Sequence, residues 1–314
     1  MNKYKILTAI IALVVSSGVY AQQEPITSQF IMNKMFINPG YTGYKEQGTF
    51  TAMHRSQWVG FKGAPMTQII SFDTPLKKNQ LAAGGAIIHD KLGPTSRIGL
   101  MGDFAYRTRL TNRATLSWGA QVSMDVFQMN LTDLTLASDY YGTFDEAFMQ
   151  NTKGLIVPNI GFGAYYYKKD HFIGLSAPKM LRPKLEKKSS MAYTLLDGRN
   201  EPIIYLMGGK MFKVNKDLMI QGSTLIRTQW NAPMSIGLYC NAHYMKQFNL
   251  GLFYYFAENA GVMFQWQVDK QFKFGYSLEI PTSALIRTGW GSHELTASYA
   301  MASKKKRIVY PRYF

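Results

Sequence analysis

Cysteine and charged residues are scarce in this sequence. Cys240 is the only cysteine among 314 residues, so no disulfide can form within the chain. Charged residues make up 17%, against roughly a quarter in a typical soluble domain. Because 46% of the residues are hydrophobic and 14% aromatic, the chain has ample apolar surface to bury. This composition excludes a disordered chain and a disulfide scaffold.

Long hydrophobic runs are scarce too, and the clearest one stands at the N-terminus. Residues 6–15 are apolar, follow Lys3 and Lys5, and precede small residues that end in Val19-Tyr20-Ala21. This is the pattern of a Sec signal peptide, and we expect cleavage near Ala21. An uncleaved membrane anchor is the alternative, but the run is much shorter than the about 20 apolar residues of a spanning helix.

Residues for catalysis are few and scattered. No histidine pair has metal-ligand spacing, and residues 174–178 lack the second glycine of a nucleophile elbow. His89 and Asp90 are adjacent, which places their side chains on opposite faces of a strand. We therefore expect no enzyme, no catalytic or metal-binding residues and no cofactor. The five histidines are His54, His89, His171, His243 and His293.

The dominant hydrophobic period is two. Between Thr115 and Val126, the apolar residues Trp118, Val122 and Met124 alternate with polar or small residues. Strands of about ten residues with one apolar face are typical of transmembrane β-strands. The pattern predicts about fourteen strands, near residues 49–57, 66–73, 81–90, 96–109, 114–127, 158–168, 171–178, 202–213, 217–227, 233–244, 247–257, 260–269, 271–280 and 291–301.

The connections between these strands differ in length. Every even-numbered strand is followed by a short polar turn, whereas the long connections 128–157 and 179–201 fall on the other side. Short turns on one side and long loops on the other are typical of an outer-membrane barrel. The sequence therefore predicts an all-β fold, a transmembrane antiparallel β-barrel of about 14 strands. We expect a signal peptide at 1–21, a periplasmic or plug-like segment at 22–48, the barrel at 49–301 and a basic tail at 302–314.

The excess of positive charge, +16 overall, is concentrated in the short turns and the tail. Nucleic-acid binding would require these residues on one track with stacking aromatics, but the aromatics lie on the apolar faces. We expect no nucleic-acid partner and place both termini in the periplasm. The basic turn residues are Lys77, Lys78, Arg113, Lys168, Lys169, Lys216, Lys246 and Lys270.

Two features concern the barrel interior. Residues 26–36 either form a short plug helix that enters the barrel or a plain periplasmic lead-in. On the less apolar faces of neighbouring strands stand Arg97, Asp103, Arg107 and Asp125. Because an unpaired charge in a lumen with little water is costly, we expect a network of opposite charges there. Asp73, before Thr74-Pro75, is expected to cap a turn.

Several motifs resemble the PorP/SprF family of type IX secretion membrane proteins. They are the segments 37–43 (INPGYTG), 55–61 (RSQWVGF) with 64–68 (APMTQ), 84–93 (GGAIIHDKLG), 158–167 (PNIGFGAYYY), 172–178 (FIGLSAP) and 292–295 (SHEL). Their order and spacing, from residue 22 to the closing 311–314, make the resemblance specific.

The resemblance implies an outer-membrane protein of the Bacteroidetes that works with the type IX secretion machinery. Expected partners are outer-membrane lipid, a secreted adhesin with a C-terminal sorting domain, or periplasmic secretion and peptidoglycan-binding lipoproteins, in some members for gliding motility. The candidate partner-binding residues are Asn38, Pro39, Gly40, Tyr41, Gly43, Arg55, Trp58, Gly60, Asp90, Gly93, Ser176, Pro178, His293 and Glu294. The candidate periplasmic docking residues are Lys304, Lys305, Lys306 and Arg307.

A passive porin or FadL-like small-molecule channel is the main alternative. The same barrel can enclose a water-filled pore, and about 14 strands leave room for either a pore or a filled lumen.

Overall fold

The computed structural model describes residues 27–45, 47–76, 80–131, 151–181, 202–230, 232–282 and 289–302. Two short 3-10 turns, Lys34–Phe36 and Pro39–Tyr41, precede the first strand. None of the helices in these ranges has the length and apolar character needed to cross a membrane. The expected signal peptide and the four tail cations lie outside the described residues.

Fourteen β-strands follow the 3-10 turns. They are β1 (Thr49–Ser56), β2 (Met66–Pro75), β3 (Leu81–Leu92), β4 (Thr95–Thr111), β5 (Ala114–Met129), β6 (Thr152–Tyr167), β7 (His171–Lys179), β8 (Ile203–Lys213), β9 (Leu218–Gln229), β10 (Ser235–Tyr244), β11 (Phe248–Tyr255), β12 (Asn259–Gln267), β13 (Phe272–Pro281) and β14 (Ser292–Ala300).

The strands form a closed antiparallel barrel in which each strand pairs with its neighbours in sequence. Strands β1 and β14 close it, with Thr49 opposite Ala300 and Ser56 opposite His293. Closure leaves the sheet without a free edge, which lets backbone N–H and C=O groups pair inside a hydrocarbon layer. The prediction of a barrel of about 14 strands is confirmed.

Apolar and polar side chains alternate along each strand, which gives the barrel an apolar outer face and a polar inner face. In β4, the side chains of Ile98, Phe104 and Tyr106 are exposed on the outside, whereas Arg97 and Asp103 are buried. This arrangement inverts that of a soluble protein, because the apolar face meets lipid. Exposed tryptophans mark both ends of this outer face: Trp118 and Trp266 at one end, Trp230 and Trp290 at the other.

The two ends of the barrel differ as the sequence predicts. We call the end with the connections after β2, β4, β6, β8, β10 and β12 the short-turn end, and the opposite end the long-loop end. The two longest connections follow β5 and β7 at the long-loop end, although two connections there, after β3 and β11, are also short. Short turns at one end and the longest loops at the other are the asymmetry of outer-membrane barrels.

The predicted strand bounds are close to the observed ones except at β6. This strand begins at Thr152 rather than near 158, because it continues to pair with β5 on both sides of Pro158. Its ladder with β7 covers only Phe162–Tyr167. Proline lacks an N–H and is tolerated in a strand where a ladder is incomplete.

Candidate functional site

The lumen is occupied by the chain's own N-terminal residues 27–45, here named the plug segment. Its apolar side chains Phe30, Met35, Tyr41 and Tyr44 are almost fully buried against the inner wall. The segment consists of turns and the two 3-10 turns rather than the plug helix considered above. Of the two hypotheses for this region, the plug is confirmed, whereas its helical form is wrong.

Glycines in the wall make room for the plug segment. A Cβ atom on Gly119 of β5 would lie 2.2 Å from the backbone of Pro39 and Gly40, and one on Gly163 of β6 would lie 2.3 Å from Asn38 Oδ1. Both distances are far below any real carbon contact, so only glycine permits this close approach. The wall is therefore shaped around the turn at residues 38–40.

A buried cluster of charges holds the start of the plug segment near the long-loop end. Glu294 accepts hydrogen bonds from the backbone N–H groups of Ser28 (2.9 Å) and Gln29 (3.0 Å). Arg55 donates to Glu279 at 2.9 Å and 3.0 Å, to Glu294 at 3.3 Å, and to Ser28 Oγ at 2.6 Å. Ser28 Oγ in turn donates to Glu279 at 2.6 Å. One arginine thus links two carboxylates that hold the plug.

This cluster is nearly excluded from water. The side chains of Arg55, Glu279 and Glu294 are 5%, 6% and 0% exposed. Taking such charges out of water is costly, and the cost is offset only when each partner is bonded as closely as here. The motifs pointed to Arg55 and Glu294. They gave no signal for Ser28 and Glu279, because the contact joins residues more than 200 positions apart.

The middle of the plug segment is fixed by the Asn-Pro-Gly turn. Asn38 Oδ1 accepts the N–H of Gly40 at 2.8 Å, which caps the turn at Pro39–Tyr41. Asn38 Nδ2 donates to the Ala164 carbonyl at 3.1 Å, and Ser176 Oγ donates to the Ile37 carbonyl at 2.8 Å. Asn38 and Ser176, which were predicted from separate motifs, therefore meet at one contact between plug and wall.

The end of the plug segment is bound near the short-turn end. Asp73 Oδ2 accepts the N–H of Gly43 at 2.7 Å, and Arg107 Nη2 donates to the Thr42 carbonyl at 2.7 Å. Gly43 has a φ of 67°, which favours glycine. The expectation that Asp73 caps a turn of its own strand is wrong, since its carboxylate binds the plug.

Aromatic side chains fill the space between plug and wall at this level. Tyr41 stacks on Tyr44 at 5.0 Å between ring centroids and meets Tyr165 edge-on at 5.3 Å. The ammonium of Lys34 lies 4.2 Å from the centroid of the Phe172 ring. Aromatic packing and this cation–π contact add to the hydrogen bonds that hold the plug.

A second charged group lies on the inner wall, away from the plug's main contacts. Asp125 pairs with Arg97 at 2.9 Å and with Lys179 at 2.8 Å. Asp103 accepts from Gln121 at 2.9 Å. The expected network of opposite charges is present for Arg97 and Asp125, and it includes Lys179. Arg107 instead binds the plug, and Asp103 bonds to an amide.

The other motif residues shape the long-loop end rather than the plug contact. Trp58 and Gly60 lie in the β1–β2 connection, whose Val59 exchanges backbone hydrogen bonds of 2.8 Å with residues 290 and 291. Asp90 accepts from Thr67 at 2.7 Å, and the N–H of Gly93 donates to the Gly63 carbonyl. These hydrogen bonds join neighbouring strands and connections at the long-loop end.

Two further motif residues also lie outside the plug contact. His293 bonds to the Tyr276 hydroxyl at 2.7 Å on the exposed face. Pro178 is buried in β7, and its carbonyl oxygen packs against Gly161 of β6.

Comparisons with solved structures show similar folds at low identity. The Ralstonia pickettii toluene transporter TbuX is 11% identical with a TM-score of 0.48, covering 91% of this chain and 95% of that one. The Pseudomonas putida toluene transporter TodX is 8% identical with a TM-score of 0.47, covering 91% and 96%. Acinetobacter baumannii Omp33 is 8% identical with a TM-score of 0.47, covering 82% and 98%. Such low identities and TM-scores say nothing about the function of this chain.

Comparisons of the sequence show the family to which the chain belongs. No curated protein sequence matches the chain. A family model for the type IX secretion system membrane protein PorP/SprF matches residues 19–299, which include the plug segment and nearly all of the barrel. The chain therefore belongs to the PorP/SprF family of type IX secretion system membrane proteins.

Proposed function

We propose that this protein is a non-enzymatic outer-membrane component of the type IX secretion system. It anchors or helps to export a surface adhesin with a C-terminal sorting domain, or it docks the periplasmic secretion and gliding apparatus. Family membership supports a role in secretion. The choice between adhesin and apparatus is our hypothesis.

The observation that carries this proposal is the bound plug segment. Hydrogen bonds hold it at three levels of the lumen, through Glu294, Asn38 and Asp73. A passive channel needs a continuous water-filled path, whereas here buried tyrosines and a chain segment occupy the interior. A filled barrel is suited to present fixed surfaces at its two ends to protein partners, which favours a scaffold over a passive pore.

The short-turn end is the surface we assign to periplasmic partners. Strand β14 ends there at Ala300, which supports a periplasmic location for the basic tail that includes 304–307. Exposed turn cations such as Lys169, Lys216 and Lys246 stand at the same end. Opposite charge on a partner would speed and orient docking more than it would tighten it.

The N-terminus calls for a different proposal from the tail. Ser28 is held by Glu294, the third residue of β14 from the long-loop end, and Gly43 lies near the short-turn end. The plug segment thus runs through the lumen from the long-loop end toward the short-turn end. This direction favours an N-terminus on the outer side, in place of the expected periplasmic one.

The test of function is purification of the protein from native outer membranes, followed by identification of the proteins bound to it. A large surface adhesin would identify an accessory anchor, and peptidoglycan-binding or ring lipoproteins would identify a member of the core apparatus. Steady open channels in planar bilayers, together with unchanged secretion after gene deletion, would instead support a porin or FadL-like channel and refute the proposal.

A further inference from the structure

A groove lies in the lipid-facing surface of strands β1–β5. Its volume is about 640 Å³. Its floor is bare, because Gly85 of β3 stands opposite Gly102 of β4 in the strand register and neither residue carries a side chain. Phe72, Leu100 and Val122 are among the apolar residues that form its walls. Clefts of about 300–1,000 Å³ with mainly apolar walls are typical of binding sites for small molecules.

Polar side chains form a row beside this groove, on its long-loop side. His54 of β1, Gln68 of β2 and His89 of β3 are neighbours in the strand register, and all three are at least partly exposed on the outer face. The next outward residues toward the short-turn end on β2 and β3 are Ile70 and Ile87, which line the groove. The row and the groove are thus two residues of strand apart, about 7 Å.

Close polar contacts join the row to two serines. His54 Nδ1 lies 3.5 Å from Gln68 Nε2, and His54 Nε2 lies 3.1 Å from Ser56 Oγ. His89 Nε2 lies 3.3 Å from Ser96 Oγ of β4. Polar groups therefore cover four adjacent strands near one end of the lipid-facing surface.

The other side of the barrel is apolar or aromatic at the corresponding level. On β10–β13, four outward residues near the long-loop end are neighbours in the strand register: Leu238, Tyr254, Ala260 and Ile280. Polar groups are costly in hydrocarbon, so a transmembrane strand normally carries apolar residues on this face. The polar row is thus a local feature of the strands that carry the groove.

Positive charge lies next to the polar row at the long-loop end. Lys91 is exposed on the same face of β3 as His89, two residues further along. Lys62 is exposed in the β1–β2 connection, and its neighbour Gly63 accepts a hydrogen bond of 3.0 Å from the N–H of Gly93, which follows β3. This bond brings the segments that carry the two lysines together. The acidic residues of β1–β4 all lie on the lumen face; they are Asp73, Asp90 and Asp103.

We propose that this surface binds one phosphorylated lipid of the membrane leaflet at the long-loop end, with an acyl chain in the groove and the phosphate at the polar row. Apolar contact in the groove favours the chain, and lysines near a membrane surface attract anionic headgroups. The side chains of His54, Gln68 and His89 carry N–H groups that can donate to phosphate oxygens. The proposal requires that the barrel lies in a membrane and does not depend on the proposed role in secretion.

The test is native mass spectrometry of the full-length protein in detergent, titrated with dipalmitoyl phosphatidic acid. The wild type should bind one molecule saturably. Dipalmitoylglycerol, which lacks the phosphate, and glycerophosphate, which lacks the acyl chains, should each bind at least about tenfold more weakly. These two probes distinguish a lipid site from binding of acyl chains alone or of free phosphate.

The variant Gly102→Leu fills the groove from its floor. A Cβ atom at residue 102 would lie 3.8 Å from Val122 Cγ2, an ordinary contact that leaves the strand in place. The variant should weaken phosphatidic acid about tenfold or more, because the acyl chain loses its contact with the floor. The matched control is Gly222→Leu, which adds the same side chain to the outer face of β9, where a Cβ meets nothing within 4 Å. The control should bind like the wild type.

The double variant Lys62→Gln with Lys91→Gln tests the contact with the headgroup. It should weaken phosphatidic acid about tenfold and leave dipalmitoylglycerol unchanged, because only the phosphate interacts with these charges. A purely structural role of the lysines would change the binding of both lipids equally. The control replaces Lys213 and Lys216, two exposed cations at the short-turn end, by glutamine and should bind like the wild type.

Three results would overturn the proposal: no saturable binding of phosphatidic acid, equal binding by Gly102→Leu and Gly222→Leu, or equal binding of the two dipalmitoyl lipids by the wild type. A wild-type dimer that Gly102→Leu separates, without any lipid binding, would show instead that the groove joins two copies of the chain. If Gly102→Leu does not assemble, the double lysine variant and its control decide alone.

Discussion

Replacing Gly119 by alanine should displace the plug from the wall. The added Cβ would lie 2.2 Å from the backbone carbon of Pro39 and from Gly40 N. Ordinary contacts between heavy atoms are about 3.5–4.0 Å, so the turn must retreat by about 1 Å or more. Both groups that collide are backbone, and no flexible side chain can relieve the overlap by rotating.

The cost follows from the hydrogen bonds that hold this turn. Three hydrogen bonds join this turn to the wall: Asn38 bonds to the carbonyls of Ala164 and Leu175, and Ser176 bonds to that of Ile37. At about 1 kcal/mol for each net bond, loss of all three weakens plug docking by about 3 kcal/mol. That free energy corresponds to a roughly hundredfold increase in the population with a displaced plug.

The assay is ion conductance of the purified protein in planar bilayers, with heat-modifiable migration as the check that the barrel has formed. Gly119→Ala should conduct far more often than the wild type. The matched control is Gly222→Ala in β9, where an added Cβ meets nothing within 4 Å. Gly222→Ala should stay closed. A closed and fully stable Gly119→Ala barrel would refute the conclusion that this contact seats the plug.

Three further predictions concern the charged cluster, a turn and the tail. Arg55→Met leaves two buried carboxylates without their shared partner and should lower the free energy of unfolding by about 3–5 kcal/mol, measured by urea unfolding in detergent. The control Arg113→Met removes an exposed arginine and should have little effect. Equal unfolding midpoints for the two variants would contradict the role of the cluster. In the β12–β13 turn, the backbone N–H groups of Phe272 and Gln271 donate hydrogen bonds to Asp269 and lower its pKa. The ionised Asp269 carboxylate therefore stabilises the turn above the ordinary carboxyl pKa of about 4, and this stabilisation is lost as the pH falls through the lowered pKa of Asp269. Hydrogen exchange of the Phe272 amide should therefore show less protection in acid, and Asp269→Asn should remove this pH dependence; an unchanged profile in the variant would refute the assignment. Replacing the four cations at 304–307 by glutamine should weaken co-purification with periplasmic partners while heat-modifiable migration stays normal, and unchanged co-purification would exclude the tail from docking.

The outer surface of the barrel was predictable from local sequence. Alternation in segments such as 115–126 assigns Trp118 and Val122 to lipid and Gln121 to the lumen, because successive strand residues point to opposite faces. The number of strands and the asymmetry of the connections followed from the same pattern. The start of β6 did not: the pattern predicts it near 158, whereas the strand begins at Thr152.

The contacts of the lumen were much less predictable. The motifs identified Asn38, Arg55, Ser176 and Glu294, but not what these residues touch. Asp73 was assigned to a turn and instead binds Gly43. Lys179 and Glu279 carried no local signal, because their partners lie on other strands or in the plug.

The sequence by itself determined which face of each strand meets lipid, how many strands there are and which end carries the short turns, since each depends only on neighbours along the chain. Tertiary structure alone decided that the chain fills its own lumen and in which direction it runs. That result depends on contacts between residues 28 and 294 or 38 and 164. Such contacts exist only once the barrel has closed and brought distant strands around one segment.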